Sequence, residues 1–193
     1  GFGGSKLIEK FRRNEKVKNA TVVKIAKKYG LISLAKTSTV EFAFGGLGLN
    51  DSNKLPNNLM YNKLACVPGG SSTGAATAVF SGLAPLSIGT DTAGSIRIPA
   101  AWHSLVGFKP SSGTIPMNGI LPLSKSFDTV GSICKTVKDT KILFNILSNK
   151  KNNKKYDYPK KIKVGFISDF NYSQLDSYCK KEIELLISKM PRL

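Results

Sequence analysis

The sequence predicts an α/β fold, and two occurrences of one pattern carry this prediction. An amphipathic stretch over residues 20–29 predicts a helix that ends at Gly30, and the apolar run 31–35 after it predicts a buried strand. Further along, the small residues of 75–80 predict a closely packed helix, and the apolar run 83–88 predicts a second strand. Helices that alternate with short apolar strands are typical of α/β domains.

Capping signals mark the start of two predicted helices. Asn19 or Thr21 can cap the helix that begins near residue 20, since both side chains can accept a hydrogen bond from a backbone N–H group. Thr136 is followed three residues later by Asp139, and this weak capping signal opens a helical pattern over residues 136–147.

The chain has 193 residues and is predicted to divide into three parts. A core spans 1–148, a charged low-complexity linker spans 149–161, and 162–193 begin a further βα unit. In that unit, 162–167 alternate like a strand and 173–190 form an amphipathic pattern. The sequence begins without Met and without the order of a secretory signal, so we expect an excerpt or a processed product.

The formal charge of +17 is a signal for nucleic-acid binding that its distribution weakens. Residues 1–30 carry a net charge of +7, residues 31–130 carry +2 and residues 131–193 carry +8. The basic flanks are more typical of solvated helix faces and linkers than of a binding surface. A nucleic-acid or phosphate binder is therefore kept only as a minor alternative, which steep salt dependence of binding would support.

Cysteine and histidine usage argues against a metal site. Cys66, Cys134 and Cys179 are far apart in sequence, form no CxxC pair and are accompanied by a single histidine, His103. Dispersed free thiols are typical of a reducing compartment, so we expect a cytoplasmic protein. No apolar run approaches the length of a membrane helix, and no membrane partner is expected.

Two loops rich in Gly and Ser, GGSSTG at 69–74 and TDTAGS at 90–95, are the candidate functional region. Such loops let the backbone approach a ligand, and they place the hydroxyls of Ser71, Ser72 and Ser95 where a nucleophile could act. The phosphate-binding GxxxxGK[ST] pattern, the dinucleotide GxGxxG pattern and the esterase GxSxG elbow are all absent.

The single histidine limits the catalytic alternatives. A Ser-His-Asp triad would have to use His103, for which a surface or core-edge position is the favoured interpretation. The remaining possibility is a lysine base whose neutral form is accessible, with a second serine relaying the proton from the nucleophile.

Together with their flanking segments, these loops resemble the amidase signature family. The resemblance covers about 19–147 and rests on GGSSTG, GTDTAGSIRIPAA and VGFKPSSGTIP, flanked by KTSTVEFAFGG and SFDTVGSICKTVKD. The two key serines are 24 residues apart, as in the family. The resemblance implies an α/β fold in which a mixed β-sheet lies between helices and is incomplete at both ends. It makes residues 1–148 a partial amidase core.

The resemblance also implies a Ser–cis-Ser–Lys mechanism. Ser95 matches the nucleophile that forms an acyl-enzyme, Ser71 the bridging serine with an unusual cis peptide bond, and Ser72 the serine that supports this network. Asp91 and Arg97 match positions that brace the loop, for which structural salt-bridging or capping is the preferred interpretation. The oxyanion hole is implied for the backbone N–H groups of four residues: Thr92, Ala93, Gly94 and Ser95.

Three departures from the family pattern affect what the resemblance implies. Thr73 and Ala93 replace frequent small residues without removing a backbone donor. More seriously, the family's catalytic lysine lies in a segment upstream of residue 1. The expected activity is hydrolysis of a small-molecule amide through a serine acyl-enzyme, without a cofactor, in a full-length protein that is expected to allow homo-oligomers.

Two alternatives to a stand-alone amidase stay open. The missing lysine favours a catalytically inactive amidase-fold remnant or an interaction module. The amidase subunit of an aminoacyl-tRNA amidotransferase is the other alternative, although the segments EFAFGGLGLN and DTAGS point more towards stand-alone amidases.

Overall fold

A computed structural model describes residues 18–51, 55–61, 64–149 and 175–190. The chain divides into two compact units, Gly1–Asn152 and Asn153–Leu193. Within the described residues, no helix combines the length and the apolar character that a membrane span requires.

The described part of the first unit contains four α-helices and three strands. Two short 3₁₀ turns, Glu41–Ala43 and Leu59–Tyr61, lie in the long connection between the first two helices. In chain order the elements are α1 Thr21–Lys28, α2 Thr73–Phe80, β1 Leu86–Asp91, α3 Arg97–Ala101, β2 Val106–Phe108, β3 Thr129–Cys134 and α4 Val137–Leu147.

The three strands form one antiparallel sheet in the order β1-β3-β2. Asp91 at the end of β1 lies opposite Thr129 at the start of β3, and Val106 of β2 lies opposite Cys134. All six residues of the central strand β3 are buried. The register therefore brings the loop that follows β1 next to the segment that precedes β3.

Helices cover both faces of this sheet. Successive residues of β3 point to opposite sides, and the two sides pack against different helices. Ile133 packs in a cluster of small and branched side chains from α2 and the α3 region: Ala75, Ala76, Val79, Ile96 and Ala100. Val130 and Cys134 belong to the other cluster, with side chains from α1 and α4: Val22, Ala26, Leu143 and Leu147. The predicted α/β architecture, a sheet between helices, is thereby confirmed, and the strand pairs of the described residues are antiparallel.

The predicted helices at 20–29, 75–80 and 136–147 are confirmed with small shifts at their ends. Thr136 caps α4 as predicted, since its hydroxyl accepts the Asp139 N–H at 3.1 Å. The cap predicted for α1 is wrong, because Ala20 occupies its N-cap position and no side chain bonds there. The Thr21 N–H donates instead to the Asn118 carbonyl at 3.0 Å.

Two strand predictions differ from the structure. The run 31–35 forms no strand, and its apolar side chains are largely exposed, with Ile32 at 83% of its full exposure. The strand predicted at 83–88 begins at Leu86 and continues to Asp91. β3 is not predicted from the sequence, because its Gly131 and Ser132 interrupt the apolar run by which a buried strand is recognised.

The described part of the second unit contains one helix, α5, Ser177–Ser188. It confirms the helix predicted at 173–190, and its N-cap Asp176 accepts the Cys179 N–H at 2.8 Å. None of its residues is buried. The predicted strand 162–167 and nearly all of the predicted linker lie outside the described residues, and the proposed boundaries stay predictions.

Candidate active site

The first Gly/Ser loop, 69–72, leads directly into α2 and is buried. Ser71 and Ser72 are 2% and 3% exposed. The peptide bond between Gly70 and Ser71 is cis, in agreement with the cis peptide bond that the resemblance implies at Ser71. The Ser71 carbonyl accepts the Val40 N–H at 3.1 Å, so the segment before the first 3₁₀ turn holds this loop from one side.

Glycine is needed at position 70, where the segment 45–48 touches the first Gly/Ser loop. The Gly70 N–H donates to the Gly46 carbonyl at 2.8 Å. A Cβ atom added to Gly70 would lie only 2.8 Å from the Gly45 carbonyl oxygen, inside the distance that carbon and oxygen tolerate. The close approach of 45–48 to the serine loop therefore depends on the absence of a side chain at Gly70.

The second loop, 92–95, follows β1 and is organised by the buried carboxylate of Asp91. Its Oδ1 accepts the Gly94 N–H at 2.8 Å, and its Oδ2 accepts the N–H groups of Ile96 at 3.1 Å and Arg97 at 3.3 Å. The Arg97 guanidinium adds two bonds, from Nε to Oδ2 at 3.1 Å and from Nη2 to Oδ1 at 3.0 Å. The interpretation of Asp91 and Arg97 as a structural pair is confirmed by this ion pair.

These contacts keep the Asp91 carboxyl ionised. Burial alone raises its pKa, but the hydrogen bonds from the Arg97 side chain and from the backbone N–H groups of Ile96, Arg97 and Gly94 outweigh burial. The pKa of Asp91 therefore lies below its ordinary value of 3.8. The side-chain hydrogen bond to Asp91 raises the pKa of the Arg97 guanidinium. The pair remains charged at neutral pH and holds the turn between β1 and α3.

The two serine loops are in direct contact. The Ser72 N–H donates to the Ser95 carbonyl at 3.1 Å. The Ser72 hydroxyl lies at 3.3 Å from both the N–H and the carbonyl oxygen of Thr90 in β1. Ser71 is therefore the direct neighbour in sequence of Ser72, which is hydrogen-bonded to Ser95. Ser95 is itself half-buried.

Backbone donors of the second loop are not all engaged. The Gly94 N–H donates to Asp91, as described above. Within the ranges that the structure describes, the N–H groups of Thr92, Ala93 and Ser95 have no hydrogen-bond acceptor. Ala93 is exposed, so this part of the loop is open to solvent and to a ligand.

Asp128 is a residue of this region that no sequence pattern indicates. It lies directly before β3 and is 6% exposed, and its Oδ1 accepts a short hydrogen bond from the Thr92 hydroxyl. Its Oδ2 accepts the N–H groups of Leu123 at 2.8 Å and Ser124 at 2.9 Å. A single Asp within SFDTVG carries no spacing signal, because its partner Thr92 lies 36 residues away in sequence.

His103 forms no triad with these serines. It is fully buried, its Nδ1 lies 2.9 Å from the Pro99 carbonyl oxygen, and its ring meets the edge of Phe80. Its Nε2 has no hydrogen-bond partner among the described residues. The expected surface or core-edge position is therefore wrong in detail, since the imidazole is part of the interior.

Two cavities of the described region lie beside the serine loops rather than at them. One of about 330 Å³ is bordered by 117–120, Lys125 and Asp128, and one of about 480 Å³ is lined mainly by 40–51 with Leu123. Neither Ser71 nor Ser95 is among the residues that line them.

The chain is similar in sequence to A subunits of glutamyl-tRNA(Gln) amidotransferases. The chain is 38% identical over 177 residues to the A subunit of glutamyl-tRNA(Gln) amidotransferase from Persephonella marina, a match over 84% of this chain and 36% of the relative. It is 40% identical over 144 residues to the protein of the same name from Ligilactobacillus salivarius, covering 75% of this chain and 28% of the relative. The chain thus spans about a third of the length of these relatives. Their names do not support the expected greater likeness to stand-alone amidases.

Solved structures give the same family. The A subunit of glutamyl-tRNA(Gln) amidotransferase from Thermotoga maritima superposes with a TM-score of 0.68 at 36% identity, over 76% of this chain and 31% of that one. A structure described as an amidase gives a TM-score of 0.74 at 32% identity, over 90% of this chain and 39% of that one. The sequence model of the family described as Amidase matches residues 3–193. This chain, with its paired Gly/Ser loops, belongs to the amidase family that is defined by the amidase signature.

Proposed function

We propose that this chain carries the acyl-transfer site of an amidase, with Ser95 as the nucleophile and Ser71 as the serine that relays its proton. The observation that supports this most directly is the 3.1 Å hydrogen bond from the Ser72 N–H to the Ser95 carbonyl, because it keeps the two serine loops in contact. Ser72 supports the arrangement through its contacts with Thr90.

In the proposed reaction, Ser95 Oγ adds to the carbonyl carbon of an amide. Its proton passes through the Ser71 hydroxyl to a base, which the resemblance implies to be a lysine from a segment upstream of residue 1. The C–N bond then breaks, and the nitrogen takes up a proton and leaves as ammonia or an amine. Water hydrolyses the ester that remains on Ser95 and restores the hydroxyl.

The unengaged backbone donors support a role in binding the oxyanion that forms during this addition. The N–H groups of Thr92, Ala93 and Ser95 are in a loop that the Asp91 carboxylate holds at Gly94 and the Asp128 carboxylate holds at Thr92, so they need little reorganisation during the reaction. The Gly94 N–H already donates to Asp91 and would have to be shared between two acceptors to take part.

Covalent labelling tests this proposal. The full-length protein that contains this sequence is treated with a fluorophosphonate, and the modified peptide is identified by mass spectrometry. We expect the adduct on Ser95, its loss in Ser95→Ala, and its retention in Ser81→Ala, since the Ser81 hydroxyl lies outside the site and donates to the Thr77 carbonyl. A folded wild-type protein without an adduct would overturn the proposal and favour a catalytically inactive remnant or an interaction module.

A second candidate function is that of the amidase component of a glutamyl-tRNA(Gln) amidotransferase. It is favoured by the name shared by the sequence relatives described above. In this case we expect the full-length protein, with its partner subunits, to transfer the amide nitrogen of an amide donor to glutamyl-tRNA(Gln). Ammonia release that is unaffected by this tRNA, with no aminoacyl-tRNA product, would favour the stand-alone amidase instead.

A further inference from the structure

The start of β3 holds the loop that follows β1 through two side chains. Thr129 lies opposite Asp91 in the sheet, and its hydroxyl donates to the Asp91 carbonyl at 3.1 Å. The preceding residue, Asp128, accepts the hydroxyl of Thr92, the residue that follows Asp91. Two consecutive residues of β1 and its loop are thus fixed by two consecutive residues at the start of β3.

Asp128 is itself fixed. Its second oxygen accepts two backbone N–H groups, from Leu123 and Ser124, at 2.8 and 2.9 Å. With the Thr92 hydroxyl, three donors surround a carboxylate that is 6% exposed. A buried acceptor with this many donors has little freedom to move, since any displacement leaves a polar group unsatisfied. The Thr92–Asp128 contact therefore anchors the loop to a rigid support.

The contact acts on the same peptide groups that the proposed function requires. Asp91 orients the far end of the loop through Gly94, Ile96 and Arg97, but it makes no bond to the N–H groups of Thr92 or Ala93. The hydroxyl of Thr92 is the side-chain anchor for that near end, and it donates to Asp128.

We propose that Asp128, acting through the Thr92 hydroxyl, is a positioning residue that aims the oxyanion-binding N–H groups of the 92–95 loop. This inference rests on the proposed function and adds to it a residue outside the two serine loops. A shift of these donors by a fraction of an ångström weakens their bonds to the developing oxyanion, while binding of the uncharged reactant is little affected.

The test is the kinetics of Ser95 modification by a fluorophosphonate in the full-length protein. Thr92→Val removes the hydroxyl and keeps the size of the side chain and its N–H group. We expect the limiting rate of modification to fall about 10- to 100-fold with the half-saturating probe concentration unchanged. Thr140→Val is the matched control, because Thr140 is a buried threonine whose hydroxyl donates to the Thr136 carbonyl at 2.9 Å in α4. Its limiting rate should equal that of the wild type.

Asp128→Asn gives the conservative rescue. The amide oxygen can accept the Leu123 and Ser124 N–H groups while the amide nitrogen donates to the Thr92 oxygen, so the contact survives without the charge. We expect Asp128→Asn to keep the limiting rate within about fivefold of the wild type. For Asp128→Ala we expect the limiting rate to fall as far as it does for Thr92→Val. Equal rates for Thr92→Val and Thr140→Val would overturn the inference while leaving the proposed function intact. A wild-type protein that is not modified at Ser95 would overturn the proposed function and the inference with it.

Discussion

At the scale of single residues, Asp91 is the group on which the shape of the second loop depends. It is fully buried and accepts three backbone N–H groups as well as the Arg97 guanidinium. We expect Asp91→Asn to lower the free energy of unfolding by about 3 kcal/mol, because one amide oxygen cannot satisfy donors arranged around two. Urea denaturation of the full-length protein measures this loss.

Arg97→Gln is the control for Asp91→Asn. Because the Arg97 side chain is 52% exposed, its ion pair is screened by solvent, and we expect a loss of only about 1 kcal/mol. Equal losses for the two variants would contradict the view that the backbone N–H groups, rather than the guanidinium, make the larger contribution.

The low pKa of Asp91 also determines the direction in which the unfolding free energy changes with pH. A carboxyl whose pKa is lower in the folded than in the unfolded state stabilises the fold above its ordinary pKa of 3.8, and this stability is lost as the pH falls towards the folded value. The difference in unfolding free energy between wild type and Asp91→Asn should therefore narrow below about pH 4. A difference that stays constant between about pH 6 and pH 3 would contradict this linkage.

The sequence predicts the serine residues of the candidate site more readily than the residues that contact the loops around them. Ser71, Ser72 and Ser95 stand out because hydroxyls on Gly/Ser loops carry a local signal. The proposed roles of Thr92 and Asp128 depend on a strand pairing between β1 and β3, and no local pattern in either segment reveals this pairing. A residue whose partner is distant in sequence becomes visible only when the register is known.

At the scale of secondary-structure elements, β1 and the first serine loop are coupled at Gly89. A Cβ atom added there would lie 2.6 Å from the Ser72 hydroxyl oxygen and 3.0 Å from its Cβ. We expect Gly89→Ala to displace Ser72, to lower the unfolding free energy by about 1–3 kcal/mol and to slow fluorophosphonate modification of Ser95. Denaturation and labelling rates, measured on the same sample, test both effects.

Two controls separate the steric effect of Gly89→Ala from a general loss of stability. Gly46→Ala places its Cβ in ordinary contact, 3.6 Å from the nearest atom of Ile98, and should leave stability almost unchanged. Thr136→Ala removes the N-cap of α4 and should cost about 1 kcal/mol without slowing the labelling. If Gly89→Ala and Thr136→Ala slowed the labelling equally, coupling through Ser72 would be refuted.

Helices α1, α4 and α5 are predictable because their apolar residues recur at helical spacing. Their caps are less predictable, since the cap predicted for α4 forms and the one predicted for α1 does not. Strands are less predictable than these helices. The run 31–35 has strand composition, but among the described strands it has no partner. β3 is the central strand although Gly131 and Ser132 interrupt its apolar pattern. Gly131 is needed because a Cβ there would overlap the Phe108 carbonyl of β2.

At the scale of the whole chain, the exposed apolar surface and the net charge have opposite effects on association between chains. Large apolar side chains are exposed in several separate segments, with Ile32 at 83%, Phe44 at 79% and Leu83 at 74% of their full exposure. Exposed apolar surface of this kind favours association. The formal charge of +17 acts in the opposite direction, because chains that carry the same net charge repel each other.

Salt concentration decides which of these properties prevails. The screening length of about 30 Å at 0.01 M salt falls to about 3 Å at 1 M, which removes the repulsion but leaves the apolar surface in place. We therefore expect the 193-residue chain by itself to be dispersed at low salt and to associate as salt is raised, as measured by sedimentation velocity at constant protein concentration. Phe44→Ser should shift the onset of association to higher salt, since it removes an exposed aromatic ring without changing the charge. Association that is strongest at low salt and disappears at high salt would contradict this argument, because it would mean that attraction between charged groups, and not apolar contact, joins the chains.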